Sequence, residues 1–220
     1  CLRTRTPSMA VLHRSAGSYH YTPEGRKLAD FTSGVLVANL GHNPKRWWKR
    51  VIEYMALEDA AGESGYHEGV TLTSYNAVTE VELEASRRLL ANLQAAPGGK
   101  RLEQILWAAS GSEAVQKGLW AGLAKRPQGD GIILATRHGF HGKKGLSGAV
   151  TGSETDKERD PRVRFISFPK EECKTLQRRR EPIDLAPYRA ELEALKAEFG
   201  DRLSVLITEP YLGGCGSYHP

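Results

Sequence analysis

Gln104-Ile105-Leu106-Trp107-Ala108-Ala109-Ser110-Gly111-Ser112-Glu113 and, further on, Gly131-Ile132-Ile133-Leu134-Ala135-Thr136 decide how this chain folds. Each contains a short apolar run of the length expected for a buried strand. Between them, residues 112–125 pattern as a helix that stops before Pro127. The alternation continues toward the C-terminus. Residues 163–168 read as a strand, and residues 187–199 as an amphipathic helix with Tyr188, Leu192, Leu195 and Phe199 on one stripe. Residues 203–208 read as a further strand. Strands alternating with helices predict an α/β fold, a mostly parallel sheet covered on both faces. Ligands of such sheets bind beyond the carboxyl ends of the strands. The chemistry is therefore expected after Ala109, after Thr136 and after Thr208.

Toward the N-terminus the signals are more local. Residues 16–32 read as a hairpin region, with Tyr19 and Tyr21 alternating around His20 and Thr22-Pro23-Glu24-Gly25 making a turn. A helix is expected from Pro44, capped by Asn43, with Trp48, Val51, Ile52 and Met55 on one face and Gly62 at its end. Residues 62–76 form a loop rich in Gly, Ser and Tyr. Val81, Ala85, Leu89 and Leu93 then predict a helix over 78–93, broken by Pro97-Gly98-Gly99.

Composition narrows the function classes. A chain of 220 residues with 40% hydrophobic content supports one sizeable core, and so one or two domains. No stretch approaches 18 uncharged apolar residues, so no membrane partner is expected. Cys1, Cys173 and Cys215 are odd in number and lack metal-ligand spacing, which argues against disulfides and against a metal site, and for a reducing, cytoplasmic location. A net charge of +5 suits an anionic ligand. Arg178-Arg179-Arg180 has no interleaved aromatic residues, so it reads as a solvated loop and nucleic acid is not an expected partner. Cys1-Leu2-Arg3-Thr4 has neither an initiator Met nor an apolar signal and reads as a cut end.

The strand ends offer three sites. Ser110-Gly111-Ser112-Glu113 joins a strand to a helix with capping-box spacing, and Gly111 permits the tight turn. Free N–H groups at a helix start, with a serine hydroxyl, suit a phosphate. An ordinary capped helix fits this tetrapeptide equally well. In Arg137-His138-Gly139-Phe140-His141-Gly142, the rings of Phe140 and His141 suit a planar heterocycle, or else core packing and solvent. Glu209-Pro210 puts a carboxylate at the sheet mouth, where acid–base work and a structural ion pair are both open. Cys215 has no assignable base and reads as a loop residue, and His42 reads as a turn or packing histidine. Neither a P-loop nor a Gly-x-Gly-x-x-Gly fingerprint is present.

Order and spacing carry more than any single motif. Tyr19-His20-Tyr21 through Gly25-Arg26-Lys27, Asp30-Phe31-Thr32-Ser33-Gly34, Leu40-Gly41-His42-Asn43-Pro44, Ser110-Gly111-Ser112-Glu113-Ala114, Gly139-Phe140-His141-Gly142 with Thr151-Gly152, and Glu209-Pro210 with the glycines after it follow one another along the chain. In this order they resemble the motifs of the class-III aminotransferases, over roughly residues 10–220.

The resemblance implies the fold type I of pyridoxal 5'-phosphate (PLP) enzymes, with residues 1–60 as an N-terminal hairpin and helix segment of the small domain and linker, and 61–220 as a partial cofactor-binding large domain. It implies that Ser110, Gly111 and Ser112 hold the cofactor phosphate, that Phe140 stacks on the ring with His141 beside it, and that Glu209 is the catalytic glutamate near the ring, which helps manage the substrate carboxylate or its arginine partner. Ser33, Gly34 and Val35 would approach the substrate side. It further implies a homodimer, an amino acid or amine as donor and a 2-oxo acid as acceptor. A decarboxylase, a racemase or an aminomutase shares the motifs, and a non-catalytic homologue would keep the fold. In that family the Schiff-base lysine lies beyond the Glu-Pro motif. Pro220 precedes its place, so the 220-residue chain alone is expected to be inactive.

Overall fold

A computed structural model describes residues 11–58, 77–156, 159–175, 177–214 and 216–219. Two compact units divide at Arg101/Leu102. The domain boundary expected after residue 60, Gly62 and the 62–76 loop lie outside the described residues, as does Cys215.

The first unit opens with an antiparallel meander, β1 (Arg14–Ala16), β2 (Tyr19–Tyr21) and β3 (Lys27–Ala29). The expected turn is present, with the Gly25 N–H donating to the Thr22 carbonyl. After it, α1 (Ser33–Leu36) is a single turn whose residues all have positive φ. Such a turn is costly for Val35, a β-branched residue at φ 65°. It is held by Asp30, which accepts from the Thr32 N–H and hydroxyl through Oδ1 and from the Gly34 N–H through Oδ2.

Next come α2 (Lys45–Tyr54) and α3 (Glu80–Ala95). The expected Asn43 cap of α2 is not made. Pro44 occupies the capping position, and the Asn43 amide instead donates to the Ser15 carbonyl at 2.8 Å while its oxygen accepts from the Trp48 indole. A side chain committed to a long-range bond is no longer available to the helix end. Thr79 does cap α3, accepting from the Glu82 N–H.

The second unit contains α4 (Gly111–Leu123), β4 (Ile132–Thr136), α5 (Gly145–Ala149), β5 (Val163–Ile166), α6 (Ala186–Phe199) and β6 (Leu203–Ile207). The strands form a parallel sheet in the order β5-β4-β6. Every residue of β4 is buried, as a central parallel strand requires. The strand's two-residue period divides the core. Ile133 and Ala135 pack with Leu119 of α4, Leu146 and Ala149 of α5, and Val163 and Phe165. Ile132 and Leu134 face the other way, onto Ile166, Phe199 and Leu195. The sheet is therefore covered by α4 and α5 on one face and by α6 on the other.

One expected strand is absent. Residues 104–109 form no ladder with any described strand, and Leu106 is 70% exposed. An apolar run becomes a strand only by pairing, and here side chains of α4 occupy its polar groups instead. Glu113 Oε2 accepts from the Ala109 N–H at 2.8 Å, and Lys117 Nζ donates to the Trp107 carbonyl at 2.7 Å. The triple-arginine stretch forms a short 3-10 turn, Arg178–Arg180.

Candidate cofactor site

Ser110 is the N-cap of α4, and its Oγ accepts from the Glu113 N–H at 3.2 Å. The expected capping box closes one residue early. Glu113 reaches back to the amide of Ala109 rather than to that of Ser110. The amides of Gly111 and Ser112 have no partner among the described residues. Two open N–H groups, the positive end of a 13-residue helix and the Ser112 hydroxyl make a cradle for an anion.

The turn after β4 lies beside this cradle. A Cβ added to Gly142 would sit 2.8 Å from Ser112 Oγ and 2.3 Å from Ser147 Oγ. Gly142 therefore lets the turn approach the helix start. Its neighbour Gly139 leaves room for the His141 ring, since a Cβ there would meet Nε2 at 2.9 Å. Thr151 ties the turn together. Its hydroxyl accepts from the His141 N–H at 2.8 Å and lies 3.0 and 2.9 Å from the carbonyls of Gly142 and Ser147. Thr151 was visible in the sequence only as part of a motif; its role as a hub depends on how the turn and α5 fold back on it.

His141 is 8% exposed, and its Nε2 is buried with no hydrogen-bond partner. An orphaned buried polar atom needs a reason, and a ligand with a polar edge supplies one. Burial holds the imidazole below its ordinary pKa, and the Glu209 charge opposes that shift. Phe140 differs in leaving a 53% exposed ring.

Glu209 follows β6 and clasps two loops. Its Oε1 accepts from the Phe140 N–H at 2.5 Å, and its Oε2 accepts from the Gly213 N–H at 2.8 Å. Both oxygens thus fix the ring-bearing turn against the glycine loop. Arg137, just after β4, is already engaged by Glu154 and Glu191 at 2.7 and 2.8 Å and is not left for an anion.

These groups fit a phosphorylated planar heterocycle: an anion cradle, an exposed aromatic face, and an unpartnered buried nitrogen. Ser110, Gly111, Ser112, Phe140, His141 and Glu209 all belong to the second unit, at the carboxyl ends of β4 and β6 and the start of α4. Ser33, Gly34 and Val35 belong to the first unit, in the left-handed turn held by Asp30. His42 stands beside that turn. Its Nε2 lies 2.7 Å from Asp30 Oδ2, and the bond helps hold the Asp30 carboxyl well below the usual carboxylate range.

The fold and site together define an α/β protein that presents a helix-start anion cradle and an aromatic turn at adjoining strand ends. The profile of one family, Aminotransferase class-III, matches residues 2–220, and the chain belongs to that family. Among solved structures it is similar to a thermostable (S)-enantioselective omega-transaminase from Thermomicrobium roseum, with 20% identity and a TM-score of 0.73 over 97% of this chain and 46% of that one. It is also similar to an amine transaminase from an uncultivated Pseudomonas species, solved in its PLP-bound form, at 22% identity and TM-score 0.72 over 99% and 49%. An S-selective transaminase from Arthrobacter sp. gives 19% and 0.70 over 100% and 48%. At these identities the likeness concerns the fold, which is fold type I of the PLP-dependent transaminases. The chain spans about half the length of these relatives. No curated protein matches it at a significant level.

Proposed function

We propose that the parent protein is a PLP-dependent aminotransferase that moves an amino group between an amino acid or amine and a 2-oxo acid. The observation that carries this reading is convergence: the α4 start, the Gly139–Gly142 turn and Glu209 come from three separate strand or helix ends and meet at one place. Family membership supports it.

PLP, when bound, supplies the electron sink that such chemistry needs. This chain's residues would hold it. The Gly111 and Ser112 amides and the Ser112 hydroxyl donate to the phosphate, and Ser110 keeps the helix start open by capping α4. Phe140 covers one face of the ring, and His141 presents a neutral imidazole beside it. Glu209 sets the position of Phe140 through the backbone, and its charge lies where a substrate's carboxylate or the cation reading it is handled. Ser33, Gly34 and Val35 serve the substrate side. We place the parent in the cytoplasm as a homodimer, in keeping with its cysteine usage and the homodimers that the resemblance implies.

The resemblance locates the Schiff-base lysine beyond Pro220, so the 220 residues alone are proposed to bind cofactor without turning over. Titrating the purified chain with pyridoxal 5'-phosphate and with pyridoxal tests the cradle. Only the phosphorylated form should bind, and Ser112→Ala should weaken it by about tenfold, the worth of one hydrogen bond to a charged group. Equal binding of the two compounds, or an unchanged S112A, removes the phosphate assignment. Transamination by the isolated chain would refute the inactivity. One-for-one consumption of an amino donor and a 2-oxo acid by the parent separates transamination from decarboxylation and racemisation.

A further inference from the structure

The cofactor site leaves His20, Asp30 and His42 unused. We infer that these three side chains form a binding site for a divalent transition-metal ion, with zinc as the best-fitting occupant. One ligand atom from each lies within 4.8 Å of the other two. His42 Nε2 is 2.7 Å from Asp30 Oδ2, His20 Nε2 is 3.6 Å from the same oxygen, and the imidazole centroids are 4.3 Å apart. Zinc bound at about 2.0–2.1 Å in tetrahedral geometry holds its ligand atoms roughly 3.3 Å apart. The observed separations bracket that value, so small side-chain rotations seat the ion. Two imidazoles and one carboxylate select zinc, cobalt or nickel over magnesium or calcium. Three protein ligands leave a fourth position to water.

The residues come from three places in the sequence, and the fold fixes each one independently. His20 sits in the middle of β2, paired with Leu28. Its Nδ1 lies 2.6 Å from Ser15 Oγ, a contact that orients the ring, and donation from Nδ1–H leaves the Nε2 lone pair free. His42 is bridged to Gly17 by reciprocal backbone bonds of 2.8 and 3.0 Å. That bridge depends on Gly41, at φ +80°, where a Cβ would meet the Gly17 backbone at 3.1 Å. Asp30 is held by Thr32 through Oδ1, while Oδ2, which also accepts from the Gly34 N–H, lies nearest the two histidines. The Asp30 side chain is only 5% exposed and the two histidines 18% each, so the pocket is sheltered but open to an ion from solvent. Binding would cross-link the meander to the left-handed turn carrying Ser33, Gly34 and Val35.

The rival account is a metal-free histidine–aspartate clasp, and the test separates the two. The purified 220-residue chain is stripped with chelator and titrated with Zn2+, with bound metal counted by elemental analysis. One equivalent is expected, with no uptake of Mg2+. His20→Gln keeps a polar group near Ser15 and leaves the 2.7 Å His42–Asp30 contact in place. It should weaken zinc by at least about tenfold, as ligand-shell changes do, while native circular dichroism persists. Co2+ should give the visible absorption of a low-coordinate nitrogen–oxygen site without a thiolate band in the native chain, a readout that does not depend on any variant folding. Absence of zinc uptake, zinc uptake unchanged in H20Q, or a thiolate band with Co2+ would each overturn the site.

Discussion

Single glycines and capping side chains set the geometry of the cradle. Gly142 has φ +147° and no room for a methyl group against Ser147 and Ser112. Gly142→Ala should destabilise the fold by about 1–3 kcal/mol, the usual result of forcing a methyl into a filled space. It should also weaken pyridoxal 5'-phosphate, because the added carbon lies beside Ser112. Denaturant midpoints and the cofactor titration read the two effects separately. His141 gives a pH signature. Its folded-state pKa lies below the ordinary 6.5, chiefly because it is buried. The unfolded chain then binds the extra proton, and stability is full above pH 6.5 and falls as the pH drops below it. Denaturation curves between pH 5 and about 7.5 should show this loss, and His141→Asn should flatten it. A variant that keeps the native slope would show that another group is titrating.

Helix α4 connects the cradle to the core, and two contacts decide how well it does so. Ser110 caps it, so Ser110→Ala should cost about 1 kcal/mol of stability. At the other end Gly122 lies against β6, where a Cβ would fall 2.3 Å from Val205 Cγ2. Helix propensity favours Gly122→Ala by about 1 kcal/mol. The clash opposes it, and the β-branched Val205 side chain cannot rotate freely out of the way. Overpacking costs about 1–3 kcal/mol, so packing should win and G122A should be destabilising. Shortening the partner tests the cause: in a double-mutant cycle, G122A should be far less harmful in a Val205→Ala background. Additive losses would mean that the two residues do not oppose each other.

On the scale of the whole molecule, much apolar surface is left uncovered. In the second unit Leu106, Trp107, Trp120 and Leu206 are all substantially exposed, and β5 and β6 each have one ladder partner among the described residues. Exposed apolar side chains beside open strand edges promote association. The 220-residue chain should therefore self-associate in light-scattering chromatography and bind a hydrophobic dye. A monodisperse monomer that excludes the dye would contradict this.

The sequence by itself determined the α/β alternation, because the apolar periods of β4, β5, α6 and β6 are local and each survives as an element. It also determined the place of the cradle, because a capped helix start needs only four consecutive residues, Ser110 to Glu113. The run 104–109 shows the limit. Its composition is that of a strand, yet a strand is a relation to a neighbour, and no described neighbour pairs with it. Asn43 shows it again, since its cap was surrendered to Ser15, 28 positions away. Glu209 was legible as a carboxylate at a strand end, but not as the clasp between Phe140 and Gly213. His20, Asp30 and His42 were read as a hairpin residue, part of a motif and a turn residue. Only the antiparallel register of β2 with β3 and the Gly17–His42 bridge bring them together. Local propensity acts over a few residues, whereas a site is made by distances between residues that the chain keeps apart until it folds.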